Sequence, residues 1–489
     1  MLSEVDWGLS GLRARAAARD LQSTPLWVAA TVVAAAAVGS MVARGQVKFA
    51  IVPVAALVAM FIARVPVAGY VAILWSVGTA IDLTALPQVG VASLQFAPAE
   101  VLLWITMACL VLLPGDVRRV VITMATRRES LATVVFLAAV VGGVAVGVEN
   151  GASVHTALFD MRDMLFYLAF WPALAALSRG RRQVFVLVSA GVVAVVALQV
   201  AQVIVGPSTR LFVIASSDLT SSLTSDGTGF LRVRPPGLTT VYIVAGFALA
   251  RVLWGPARGR LIGWAMTVVT MTGVILSLNR NMLLGLALGL CVAALIAPQR
   301  HRFVVSVAVL GMVLSGVVLL AQGSAFESDA VVSRVASITN YSELRTTTLD
   351  DRYYENGIAL QRIHAHPLGG LGWGPNYGAV IGTWDDGVLI NQPRSFMHEQ
   401  YLWIWMRAGI IGLVSLIAML ALGIWNGARW ARERHGADDA WIGAGVVISL
   451  VAVAASSNVA IYLTPPDSTV PLVGVLALAA IMRRDLARR

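Results

Sequence analysis

The chain reads as an all-α polytopic membrane protein with about 12–14 transmembrane helices and a partly helical extracytoplasmic cap between late helices. Three observations carry this reading. Hydrophobic residues make up 58% of the 489 residues and charged residues only 13%, where a soluble domain carries about a quarter charged residues. Apolar runs of spanning length recur from one end to the other, and mean hydropathy is +0.79. Arginines cluster in the short stretches between those runs.

The elements follow in order. Residues 1–25 form a polar N-terminal segment bearing Arg13, Arg15 and Arg19, ahead of an uncleaved first helix at 26–43. Further spans are predicted at 49–63, 66–82, 97–113, 131–148, 164–178, 184–205, 237–254, 261–278, 281–297 and 303–322. A polar stretch then occupies 323–397, and spans resume at 398–424, 441–463 and 468–482, before a tail at 483–489. Mixed signals from Arg44, Lys48 and Arg64 make 49–63 and 66–82 readable as a re-entrant pair, which lowers the count. The domain plan is therefore a membrane domain at 26–322 and 398–482, interrupted by the cap at 323–397.

Charge placement sets the topology and excludes one function class. The net charge of +10 invites a nucleic-acid reading. However, the clusters Arg118/Arg119, Arg127/Arg128, Arg179/Arg181/Arg182, Arg258/Arg260, Arg300/Arg302, Arg429/Arg432/Arg434 and Arg483/Arg484/Arg488/Arg489 all fall in short loops or the tail. Excess arginine there marks the cytoplasmic side, so both termini lie inside and 206–236 and 323–397 lie outside. Cys109 and Cys291 sit in apolar runs and suggest neither a disulfide nor a metal framework.

The outer segments carry the chemistry. In 323–397, Asp350 and Asp351 can cap a helix running through Arg352, Tyr353, Tyr354, Ile358 and Leu360. That helix breaks at 366-HPLGGLGWGPN-376, whose glycines and prolines enforce tight turns. His398 opens the next apolar run, at the membrane edge, where a helix N-terminus disfavours imidazolium and keeps the ring a usable base. Arg280 interrupts the run 261–297, Arg232 and Arg234 precede Pro235-Pro236, and Arg352 and Arg394 lie in the cap. Outward arginines run against the positive-inside tendency, and the guanidinium is the side chain best shaped to grip a phosphate. The plain alternative for each is an interfacial snorkel, or a salt bridge to Asp350, Asp351, Glu355 or Glu399.

Competing motifs weigh less. His364 and His366 form a His-x-His without further clustered ligands, and Asp350-Asp351 and Asp385-Asp386 suit caps and turns better than Mg²⁺. No metal and no cofactor is expected. Trp373, Trp384, Trp403 and Trp405 read as interfacial anchors, although Trp373, inside the glycine-rich turn, is also placed to stack on a sugar ring. The glycines of 369–374 lack the Gly-Lys-Ser/Thr of a phosphate loop.

Taken in order, 277-SLNRN-281, Arg352, 366-HPLGGLGWGPN-376 and 398-HEQYLWIWMRAGIIGL-413 resemble the bacterial O-antigen ligase and O-antigen polymerase superfamily. Motif resemblance covers roughly 230–420. It implies a multi-pass glycosyltransferase of the bacterial cytoplasmic membrane whose active site is on the extracytoplasmic face. The implied donor is a polyprenyl-diphosphate-linked glycan, and the acceptor a hydroxyl of a glycan, glycolipid or protein. Carried over, Arg280 and Arg352 contact the donor diphosphate and His398 activates the acceptor. Arg232 and Arg234 match a family element only loosely. They join Arg394, Glu399 and Trp373 as candidate substrate-binding residues. The family often has Asn after that His, where this chain has Glu399, which makes Glu399 a rival base. The implied reaction is a metal-independent, inverting displacement. A transporter or flippase for lipid-linked oligosaccharide is the alternative. It would set charged residues near the midplane of several helices, whereas most charges here fall at helix ends.

Overall fold

The computed structural model describes residues 58, 61–78, 89–91, 94–113, 115–125, 127–206, 211–212, 223–225, 231–277, 279–296, 350–385, 388–393 and 397–488. The chain divides into two units, Met1–Val65 and Pro66–Arg489. In the first, residues 61–64 are helical; the predicted span at 26–43 and most of 49–63 lie outside the described residues, as does 303–322.

The second unit is an all-α bundle. Its helices are α1 (Pro66–Val77), α2 (Pro98–Cys109), α3 (Gly115–Ala125), α4 (Arg128–Glu149), α5 (Val154–Met161), α6 (Phe170–Val205) and α7 (Leu238–Trp254). They continue with α8 (Arg260–Leu276), α9 (Arg280–Ile296), α10 (Asp350–Ala365), α11 (Gln400–Glu433), α12 (Ala440–Ser456) and α13 (Pro466–Ala487). Three short antiparallel hairpins occupy connections: β1–β2 (Val89–Val91, Leu94–Phe96), β3–β4 (Leu223–Ser225, Leu231–Val233) and β5–β6 (Val380–Asp385, Val388–Pro393).

Among the described residues, four helical segments are long and apolar enough to cross a membrane, and a bent pair raises the number to five. Four shorter apolar helices, α1, α7, α9 and α12, complete the bundle. At 1.5 Å per residue these run about 18–26 Å, less than the ~30 Å hydrocarbon core. Several predicted spans differ at their ends. The run 441–463 stops at Ser456, and residues 457–465 form a turn ahead of Pro465-Pro466. The runs 164–178 and 184–205 belong to a 3-10 stretch, Arg162–Ala169, continued by α6, in which Gly180 (φ −151°, ψ 58°) breaks the helix among the arginines. The cluster Arg118/Arg119, expected in a loop, sits exposed on α3, which buries Val117 and Met124.

The core lies around α12 and α13. Small residues let helices approach backbone to backbone: a Cβ on Gly443 would meet the Gly427 carbonyl oxygen at 2.5 Å, and one on Gly289 the Ile448 oxygen at 2.5 Å. This is how membrane helices associate, since lipid tails supply little hydrophobic drive between them. Buried hydroxyls find carbonyls across helices, as Tyr242 Oη does with Ala452 O (3.1 Å) and Tyr167 Oη with Leu463 O (2.9 Å). The arginine clusters gather at one end: Arg483 binds Glu129 (2.8 Å), Arg181 binds Asp485 (2.9 Å), Arg179 binds Asp116 (3.3 Å) and Arg432 donates to Ile296 O. The turn 457–465 and the start of α11 lie at the opposite ends of these same helices.

Candidate functional site

The site begins with a helix that is not apolar. On α10, Glu355, Ala359 and Ile363 are all buried, while Tyr353, Tyr354 and Leu360 are exposed. Spacing of four residues puts the buried three on one stripe, and that stripe docks α10 onto the bundle. The stripe opens with a carboxylate. A buried carboxylate demands a partner, because leaving water is costly for an unpaired charge. Glu355 Oε2 lies 3.0 Å from His398 Nδ1 and 3.4 Å from the His398 backbone N–H. The Glu355 side chain is 1% exposed and that of His398 29%. Arg352, half-buried, precedes Glu355 by three residues and so lies on nearly the same face.

His398 is not on the first turn of α11, as the sequence suggests. Glu399 is the N-cap, and its side chain accepts from the Leu402 N–H; His398 lies one residue outside the helix. The electrostatic surroundings of the ring follow from that position. The group facing the ring is a buried carboxylate rather than a helix terminus. Burial pushes the Glu399 carboxyl above the usual carboxylate range, against the opposing amides of Leu402 and Tyr401. Its capping bond leaves Glu399 less available as a base.

The turn 457–465 ties this corner to the predicted arginines. Gln400 donates its backbone N–H to Ser457 O (3.0 Å) and accepts from Thr464 Oγ1 (2.8 Å). On the other side of the turn, Asn279 Nδ2 donates to Tyr462 Oη, and Ser456 Oγ donates to Asn281 O (2.9 Å). Arg234 and Asp467 lie within electrostatic reach of the Tyr462 hydroxyl. Asn279 and Asn281 flank Arg280, whose backbone opens α9, so the Arg280 backbone and Arg234 gather at the turn that also holds the start of α11. The Arg280 side chain and the Arg232 side chain on β4 lie outside the described residues, as does Arg394.

Trp373 belongs elsewhere. The glycine-rich turn, expected to lie over the bundle, inserts between α4 and α11. Trp373 N–H donates to Gly143 O (3.0 Å), its indole N–H to Val140 O (2.9 Å), and Leu371 N–H to Met406 O (2.6 Å). Gly370, Gly372 and Gly374 take positive φ, and Gly147 admits the Trp373 backbone where any Cβ would collide. Trp373 is 1% exposed, so its ring is enclosed where the turn inserts between α4 and α11 and offers no face to a sugar. Two further side chains finish the joint. Arg407 Nη1 donates to Gly372 O and Pro375 O (both 2.8 Å), and its guanidinium lies 4.2 Å from the Trp403 ring centroid. Gly409, at φ 69°, breaks α11 where Ile410 N–H donates to Leu368 O (3.0 Å).

The reading from sequence leaves out Glu355, the buried partner of His398, and Arg407, the clamp on the glycine-rich turn. The first was visible in the 355/359/363 spacing, and the second as a lone charge inside 400–413. His364 and His366 gather no further ligands: among the described residues no group of three or more His, Cys, Asp or Glu is placed to hold a metal.

Residues 265–417 match the protein family described as O-antigen ligase. The match takes in α8, α9, α10, the glycine-rich turn and the first half of α11, and with them Arg280, Arg352 and His398. No curated protein matches the chain.

Proposed function

We propose, from the match of residues 265–417 to the O-antigen ligase family, that this chain is a membrane glycosyltransferase. It moves a glycan from a polyprenyl-diphosphate donor to an acceptor hydroxyl at the outer face of the bacterial cytoplasmic membrane, as a cell-surface polysaccharide ligase or polymerase. The observation that carries the reading is the corner where His398, backed by Glu355, meets the turn 457–465 that also gathers Arg234 and the residues flanking Arg280. The arginine-rich ends of the helices lie at the other end of the bundle. With those ends cytoplasmic, the corner faces outward.

In this mechanism His398 Nε2 takes the proton of the acceptor hydroxyl as its oxygen attacks the anomeric carbon. The carbon–phosphate oxygen bond breaks in the same displacement, and its electron pair leaves with the diphosphate. Arg280 and Arg352 neutralise that charge as it develops, with Arg234, Arg232 and Arg394 holding the donor. Single displacement inverts the anomeric centre. The free energy resides in the donor, so no nucleotide is required outside the cell.

The test is transfer by purified protein in lipid, given a polyprenyl-diphosphate glycan and candidate acceptors. Laddered products identify a polymerase, and a single addition to a lipid, glycan or protein acceptor identifies a ligase. Movement of intact donor across the bilayer without transfer would overturn the reading in favour of a flippase.

A further inference from the structure

We infer that Glu355 is a positioning residue for His398: its carboxylate holds the imidazole as the Nδ1–H tautomer, so that Nε2 carries the lone pair that takes the acceptor proton. The inference rests on the transferase reading and extends it. Geometry carries it. Glu355 Oε2 lies 3.0 Å from Nδ1, and the same oxygen reaches the His398 backbone N–H at 3.4 Å, so one carboxylate fixes both the ring and the chain from which it projects. The asymmetry of burial agrees, since the carboxylate is enclosed while the imidazole is partly exposed. An ionised carboxylate only accepts hydrogen bonds. A contact with Nδ1 therefore places the proton on Nδ1, and the other ring nitrogen becomes the acceptor. When Nε2 takes a proton, the adjacent carboxylate stabilises the imidazolium without itself being protonated, the division of labour seen wherever a buried acid orients a catalytic histidine.

The arrangement has a structural consequence. Glu355 belongs to α10 and His398 to the entry of α11. The base is thus assembled only when the cap helix is docked on the bundle. The Glu355–Ala359–Ile363 stripe makes that docking and the chemistry one event. A plain packing role would also hold α10 in place, and the test separates the two.

The first measurement uses unaltered protein: ¹⁵N spectra of selectively histidine-labelled chain in lipid, the His398 signals assigned by their loss in His398→Gln. The expected result, read at a pH where the ring is neutral, is a protonated Nδ1 and an unprotonated Nε2. A predominant Nε2–H tautomer overturns the inference whether or not transfer is ever observed. The second is a double-mutant comparison in the transfer assay. Glu355→Gln keeps the side-chain shape and removes the charge. It is expected to lower kcat by roughly 10²-fold, with KM for the donor little changed. On a His398→Ala background the same substitution is expected to change the residual rate by less than about 3-fold, because residues that act as a unit are not additive. An equal loss on both backgrounds assigns Glu355 to packing alone and overturns the inference. Should the unaltered protein transfer nothing to any acceptor, the transferase reading fails while the tautomer measurement still decides the pairing.

Discussion

Gly147→Ala should destabilise the protein, while Gly142→Ala, five residues earlier on the same helix, should not. A Cβ on Gly147 would lie 1.9 Å from the Trp373 carbonyl oxygen and 2.8 Å from its amide nitrogen. Both are backbone atoms, so no side-chain rotation relieves the collision and the glycine-rich turn must withdraw. Withdrawal strains or breaks the Trp373 bonds to Gly143 O and Val140 O, worth about 1 kcal/mol each. Forcing a methyl into a filled joint adds about 1–3 kcal/mol. Better helix propensity returns about 0.5–1 kcal/mol. The net expectation is a loss of about 2–4 kcal/mol. Gly142 has no atom within 4 Å of its built Cβ, so alanine there keeps only the propensity gain. Equilibrium unfolding of the two purified variants in mixed micelles reads the difference, and proteolysis within 366–378 reports withdrawal of the turn. Equal stability of the two variants would refute the insertion of the turn.

Glu399→Ala should cost about 0.5–2 kcal/mol through loss of the α11 cap and leave transfer within ~10-fold of normal, measured by melting and by product formation. A dead Glu399→Ala beside an active His398→Ala would move the base by one residue. Arg280→Lys and Arg352→Lys should each lower kcat more than they raise KM for the donor, since an ammonium does not reproduce the two-pronged guanidinium contact with the charge developing on the diphosphate; a donor titration checks this, and unchanged kcat in both removes them from the diphosphate. Cysteines at Ser328 and Ser342 should label in intact cells with an impermeant thiol reagent, and labelling only after permeabilisation would invert the topology.

Much of this was legible in the chain, and the exceptions share a cause. Hydropathy and arginine placement report local properties of a helix, so the bundle and the ends of α4, α7, α8 and α9 fall within a few residues of expectation. The glycines at 369–374 announced tight turns but not their depth, because insertion depends on Gly143 and Gly147, over 200 residues away in the chain. Trp373 is buried for that reason, with no face turned to a sugar. His398 stands where the polar segment meets the apolar run, and which of the two adjacent polar residues, His398 or Glu399, becomes the cap depends on geometry that composition does not contain. Glu355 looked like a salt-bridge partner for the cap arginines. Its pairing with a histidine 43 residues away requires α10 to be docked. The composition of α11 also concealed its break, since Gly409 reads as a tolerated small residue until Leu368 O takes up the Ile410 amide.

If the corner around His398 carries out glycosyl transfer, the imidazole is indispensable to it. The most direct test compares unaltered protein with His398→Ala at equal membrane insertion, measuring both donor binding and glycan transfer from a polyprenyl-diphosphate donor. Transfer should fall by about 10²–10⁴-fold with donor binding retained. Full transfer by His398→Ala would contradict this.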